Sequence, residues 1–298
     1  MKYYKLLFLL PVLFGMACGS STSESETETT SETEEAPATP IIDLTLKWET
    51  DTLLTTCESV LYDPTNDVLY VSNIEGAPDG KDGRGSIGKV SLDGTIINAK
   101  WIKGLNAPKG LGLYNGMLYV SDLTNIVEID IVSEMVKKSY PVKGASFLND
   151  ITVDANGKVY VSDSRSGLLA ALENGKVTVI KDGLQSPNGL FAEENRLMVA
   201  SFEAQTLNTL DLSTLEMTVK TEGIENTDGI EAVGNGGYLV SSWNGKVHYV
   251  TPDWEKVLIL DTTGDQINAA DIEFIPEKNL LLVPTFFKNK VMAYELKM

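Results

Sequence analysis

An all-β fold, a six-bladed β-propeller with four-stranded blades, is predicted by three features of this 298-residue chain. A unit of about 40 residues recurs six times; each unit holds short apolar strands separated by turn formers; and no stretch carries a convincing helical period. The units open at Glu58, Lys109, Asn149, Asn188, Asp228 and Asp271, at spacings of 51, 40, 39, 40 and 43 residues. Their second strands share one rhythm: Tyr70-Val71-Ser72, Tyr119-Val120-Ser121, Tyr160-Val161-Ser162, Met198-Val199-Ala200, Leu239-Val240-Ser241 and Leu282-Val283-Pro284. Pro64 with Asn66, Asn115-Gly116 and Asn156-Gly157 suit the tight hairpins between strands. A sandwich or a β-solenoid fits this spacing less well, whereas a ring of blades leaves few open sheet edges. The segment from Ile41 to Glu49 precedes the first unit and is expected to complete the last blade and lock the ring.

The N-terminus reads as a targeting segment. Lys2 and Lys5 precede 12 apolar residues from Leu6 to Ala17, too few to span a bilayer but right for a secretory core. Gly15-Met16-Ala17-Cys18 resembles a bacterial lipobox, so the reading is a lipoprotein signal peptide over residues 1–17, with Cys18 lipidated. Residues 18–40 are rich in Ser, Thr and Glu and hold too little apolar area to offset ordering entropy, as expected of a disordered acidic tether. The propeller then occupies 41–298, held at the cell envelope by Cys18 alone and expected to be a monomer.

Charge and composition exclude several classes of function. There are 24 Lys and Arg against 42 Asp and Glu, a net charge of −18, which disfavours nucleic acid as a partner. A single histidine, His248, rules out multi-histidine zinc sites and leaves at most one imidazole base. Gly83 followed by Gly88-Lys89 imitates a phosphate loop, but Val90 follows and a strand replaces the required helix, so no nucleotide is expected. Cys57 is read as a small buried residue.

In a propeller, each opening residue stands where the chain enters an innermost strand, so the six gather around one mouth of the axial channel. Glu58, Asn188 and Asp228, with Asn149 as a fourth oxygen donor, suit calcium or a similar hard cation. Two carboxylates on one axis repel unless a cation neutralises them. The competing reading has the same Asn and Asp side chains bonding to backbone in the loops. Lys109 and Asp271 are expected to pair with each other or with those carboxylates. The insertion from Ile74 to Ser86 should lie over this mouth, with Asp79 and Asp82 either solvated or holding a second cation. Asp122, Asp163, Arg165, Phe202, Trp243, Phe286 and Phe287 are expected around the pocket.

The run from Glu58 to Pro64, Asn149-Asp150, the group Ser186 to Leu190, Asp228-Gly229-Ile230 and Trp243 to Val247 resemble the SMP-30/gluconolactonase/LRE-like region family across about residues 45–295. The resemblance implies a six-bladed propeller, a divalent metal on the axis (calcium foremost, with zinc, manganese or magnesium as options) and hydrolysis of a small-molecule lactone or related ester. It implies Glu58, Asn188 and Asp228 as metal ligands, Asp228 also as catalytic base, and Asn149 as the residue that orients substrate or a metal-associated water. The family places an arginine where this chain has Phe147, and the glycine and proline flanking its first glutamate are replaced here by Cys57 and Ser59-Val60. The alternative function is a lipid-anchored propeller that binds a small ligand or protein without turnover.

Overall fold

The computed structural model describes residues 42–298. The signal peptide, the tether and Cys18 lie outside the described residues. Six four-stranded antiparallel sheets form the blades, as the repeat predicts. Blade 1 runs Cys57–Asp63, Val68–Asn73, Gly85–Ser91 and Ile96–Leu105. The innermost strands of blades 2 to 5 are Pro108–Tyr114, Leu148–Val153, Pro187–Ala192 and Thr227–Ala232. Blade 6 holds Glu273–Ile275, Leu280–Pro284 and Val291–Lys297, and its fourth strand is Asp43–Glu49, paired antiparallel with Val291–Lys297. Joining the two ends of the chain in one sheet closes the ring without a free inner edge.

Hydrophobic clusters sit between neighbouring blades. Val60, Leu69 and Val71 of blade 1 pack with Leu282 and Ala293 of blade 6, and Leu239 and Val247 of blade 5 pack with Phe274 and Leu281 of blade 6. A strand covered on both faces is apolar except where a buried polar side chain has hydrogen-bond partners, as Ser162 and Asp163 do. The second strand of blade 3, Val159–Asp163, is buried at every residue, while the outermost strand of blade 2, Met135–Pro141, is almost wholly exposed. Asn115 and Gly116, with φ of 47° and 75°, form the mirror-image turn that matches the strand twist.

One local feature aims the opening residues. In blades 1 to 5, pairing of the first and second strands slips at the same place: between Cys57 and Val60, Pro108 and Leu111, Leu148 and Ile151, Pro187 and Leu190, and Thr227 and Ile230. Such a bulge leaves residues without ladder partners and turns their side chains. The serines ending the second strands meet the orphaned amides: Ser59 N donates to Ser72 Oγ at 2.9 Å, Asp150 N to Ser162 Oγ at 3.0 Å and Gly229 N to Ser241 Oγ at 2.7 Å. Serines at this place on the second strands also stitch blades together. Ser121 Oγ donates to the Asn149 carbonyl, and Ser241 Oγ to the Ala270 carbonyl.

That equivalence corrects the register of the sixth unit. Ala270 holds the place of Asn149, and Asp271 lies one residue beyond it, matching Asp150. Blade 6 is the sheet whose inner strand is shortest, three residues, and no bulge precedes it.

Candidate functional site

Glu58, Asn149, Asn188, Asp228 and Lys109 line one cavity of about 540 Å³, so the structure gathers five of the six opening residues. All are nearly inaccessible to solvent; Asp228 and Asn188 are each 3% exposed and Lys109 2%. Each is the second residue of its inner strand, inside the bulge. Close blade contact fixes their separation: a Cβ added at Gly189 would lie 1.9 Å from the Asp228 carbonyl oxygen, so only glycine fits beside Asn188.

The floor is rich in unanswered acceptors. Glu58 Oε2 and Asn188 Oδ1 are buried with no hydrogen-bond partner. Asn188 Nδ2 makes a long 3.5 Å contact with the Thr227 carbonyl, and Asn149 Nδ2 donates to Ser164 Oγ at 2.9 Å. Burial pushes the Glu58 carboxyl well above its ordinary range, reinforced by the charges of Asp228 and Asp271 and opposed by Lys109. Burial does the same to Asp228, with Asp271 adding to it and the Asn188 amide opposing. Among the described residues no three His, Cys, Asp or Glu side chains are grouped to hold a metal by themselves. A cation here therefore needs the amide oxygen of Asn188. The donor set fits a hard divalent ion: two carboxylates that repel without one, and an amide oxygen left free.

Lys109 does not ion-pair with Asp271 or with the ring carboxylates. Its ammonium donates to the carbonyls of Pro78 at 2.9 Å and Ala107 at 3.1 Å, and lies 4.2 Å from the Phe147 ring centroid. Burial lowers its pKa to about 8 despite the nearby charges of Glu58, Asp122 and Asp79. Asp271 instead accepts from Ser59 Oγ at 2.6 Å and faces a second cavity further along the inner strands.

The wall of the first cavity contains Arg165, Phe202, Trp243, Phe286 and Phe287, as expected, together with Phe147, Pro78, Ser164, Ser186 and Glu203. Asp122 and Asp163 do not line it. Asp122 accepts from the Asn106 and Ala107 amides at 2.9 and 2.8 Å, and Asp163 from those of Ser146, Phe147 and Ser166 at 2.6, 2.8 and 2.6 Å. Both carboxylates are spent on holding loop backbone. Asp79 and Asp82 pair with Arg165 and Arg84 at 3.2 and 2.6 Å, in contacts that stay largely open to solvent. Pro78 and Ser164 were not foreseen; Ser164 follows the Val161-Ser162-Asp163 strand end directly, which is the signal that could have located it. Cys57 is buried, and its thiol is pushed up to about 12.

No family model matches the sequence, and no curated protein matches it. Solved structures do. A gluconolactonase from Xanthomonas campestris is similar at 17% identity and a TM-score of 0.64, covering 85% of this chain and 89% of that one. The likeness establishes the fold: a six-bladed β-propeller. A catalytically inactive virginiamycin B lyase from Staphylococcus aureus, solved with quinupristin, is similar at 13% identity and a TM-score of 0.63, over 87% of this chain and all (100%) of that one. A chain of a nidogen/laminin complex is similar at 18% identity and a TM-score of 0.60, over 73% of this chain and 84% of that one. A lactonase, a lyase and a member of a protein complex share this architecture, so chemistry must be argued from the cavity floor.

Proposed function

We propose that the chain is a divalent-metal-dependent hydrolase of a lactone or related ester, with Glu58, Asn188 and Asp228 as the ligand set, calcium as the first choice of ion, and Asp228 as base. The observation that carries this reading is the pair of buried acceptors without partners, Glu58 Oε2 and Asn188 Oδ1, on one floor with Asp228. Leaving such atoms unmatched costs about 1–3 kcal/mol each, so a cation or donor is called for there.

When bound, the ion supplies Lewis-acid polarisation of the acyl carbonyl. The chain's own residues do the rest. Asp228 takes a proton from water as the water oxygen bonds to the acyl carbon, and returns a proton to the ring oxygen as the acyl C–O bond breaks, giving the hydroxy acid. Asn149, its NH₂ group held by Ser164, orients the substrate or the water. The buried floor residues, each under 10% exposed, leave little water around the reacting groups, which strengthens the polar contacts there.

The test has two parts. Calcium added to the chelated protein should raise its melting temperature, and Glu58→Gln should abolish that rise. Asp228→Asn should lower turnover of a lactone panel by about 10³-fold. A panel with no metal-dependent turnover removes the hydrolase reading and leaves the propeller as a binding module. On the same reading, Cys18 anchors the protein to the bacterial envelope; palmitate labelling lost in Cys18→Ser tests that.

A further inference from the structure

Resting on that hydrolase reading, we infer that the substrate is a lactone or ester with an apolar arm, and that Trp243, Phe286 and Phe287 select it. The cavity divides into two chemically distinct parts. Its unmatched polar atoms lie on the floor, and they are acceptors. Three polar side chains of its wall are already engaged, Lys109 with two carbonyls, Ser164 with the Pro187 carbonyl at 2.8 Å and Arg165 with Asp79, which leaves Ser186 and Glu203. A polyhydroxylated ring would lose water from its hydroxyls on entering and find few wall groups free to replace it, at a cost for each unanswered hydroxyl.

The apolar side is built and rigid. Trp243 packs edge-on against Phe286 and Phe287 with centroid separations of 5.6 and 5.9 Å, and the two phenylalanines lie 4.7 Å apart. Phe287 is 62% exposed at the edge of this cluster, a large aromatic surface that none of the described residues covers. Phe286 has φ of 49°, a left-handed conformation that a bulky side chain rarely adopts. The turn is held in that conformation from several sides. Thr285 N donates to the Lys290 carbonyl at 3.0 Å, Asn289 N to the Phe286 carbonyl at 3.1 Å, and Asn289 Oδ1 accepts from Thr56 N at 2.7 Å. Leu123 takes the same left-handed step after the second strand of blade 2, so these bonds fix a turn of the scaffold and with it the placement of the triad. Phe147 adds to the contrast, since its ring is covered by Lys109 and by Arg165 at 4.8 Å, which leaves the aromatic triad and Phe202 as the remaining aromatic lining.

The experiment measures binding apart from turnover. Asp228→Asn protein with calcium is titrated calorimetrically with δ-hexalactone, δ-decalactone, δ-dodecalactone and glucono-δ-lactone. Affinity should rise by about tenfold for every two methylenes that reach the triad, and glucono-δ-lactone should bind more weakly than the alkyl series. Phe287→Ala, at an exposed position where folding is preserved, should flatten the chain-length dependence. A flat series in the parent protein, or preference for glucono-δ-lactone, overturns the inference even if the wild-type chain hydrolyses lactones. Steep chain-length dependence without hydrolysis by the wild-type chain upholds the apolar specificity and removes the hydrolase reading instead.

Discussion

The inner strands that begin at the amide-and-carboxylate floor run on into a second cavity of about 350 Å³, and the two ends of this one axis are chemically opposed. At the first end two carboxylates stand among amides, a lysine and an aromatic wall. At the second, Asp150, Glu231, Asp271 and Glu273 line the cavity with no lysine or arginine among its residues. Asp150 is satisfied by the amides of Ile151 and Leu190, both at 2.6 Å, and Asp271 by Ser59. The difference teaches that orphaned oxygens, more than acidic residues as such, distinguish the end that calls for a ligand. The second end has more carboxylates, yet among the described residues none of its fully buried side-chain oxygens lacks a partner.

The sharpest way to test this comparison is to add one carbon at each end. At Gly189 the new Cβ meets the Asp228 carbonyl oxygen at 1.9 Å, whereas at Gly112, which lines the second cavity, it meets methyl groups of Val153 and Ile151 at 2.6 and 2.7 Å. Backbone cannot swing aside as a methyl can. Gly189→Ala should destabilise the fold by about 4 kcal/mol or more and Gly112→Ala by about 1–3 kcal/mol, read from urea unfolding. Equal costs would mean that the blades are as loosely set at the first end as at the second.

Much of this was legible in the chain and some was not, for definable reasons. The six units, the closing strand and the placement of Glu58, Asn149, Asn188 and Asp228 at one mouth follow from a repeat whose turn formers and strand ends keep register. Asp271 misled because the sixth unit places Ala270 at the ring position, and a charged residue one step later looks like a ring member when only spacing is counted. The second carboxylate cluster escaped notice because it draws on two different offsets, Asp150 and Asp271 one residue beyond the ring position and Glu231 and Glu273 three residues beyond it, each occupied by an acid in only two of the six units. The bulge that turns the ring side chains inward has its own sequence trace, the serine near the end of four second strands, Ser72, Ser121, Ser162 and Ser241. Its role as a partner for the bulged amide becomes visible only when the strands are paired.

A smaller effect distinguishes the two ends by pH. Burial, then the charges of Glu273, Asp271 and Asp150, raise the Glu231 carboxyl well above its ordinary value; burial and Asp271 do the same to Glu273, and burial brings Asp271 to about 6. The native chain therefore holds protons that the unfolded chain has released, so this end contributes stability below the ordinary carboxylate pKa that is lost as pH rises through the native values. His248 acts in the opposite sense, since burial lowers its pKa from 6.5 to about 4 and stability from it rises with pH across that interval. Comparing Glu273→Gln with wild type cancels the histidine. The variant should melt about 2–4 °C higher than wild type at pH 8, with the gain shrinking toward zero at pH 4. A gain that is constant with pH would show that the carboxylate repulsion described for this cavity is absent.

The smallest effect belongs to the rim of the first end. Arg165 meets Asp79 at 3.2 Å and joins the 74–86 insertion to blade 3, yet the two side chains are 56% and 54% exposed. Water competes for such a pair and salt screens it, so its worth is about 0–1 kcal/mol. The insertion has a second, half-buried hold, the Lys109 ammonium on the Pro78 carbonyl. Asp79→Asn should accordingly change unfolding free energy by less than about 1 kcal/mol, and by less still in 1 M salt. A double-mutant cycle of Asp79→Asn with Arg165→Met measures the pair directly. If the coupling exceeded about 2 kcal/mol, the insertion would be held mainly from the rim, and the buried lysine would be free to answer to the floor carboxylates instead of to the loop above them.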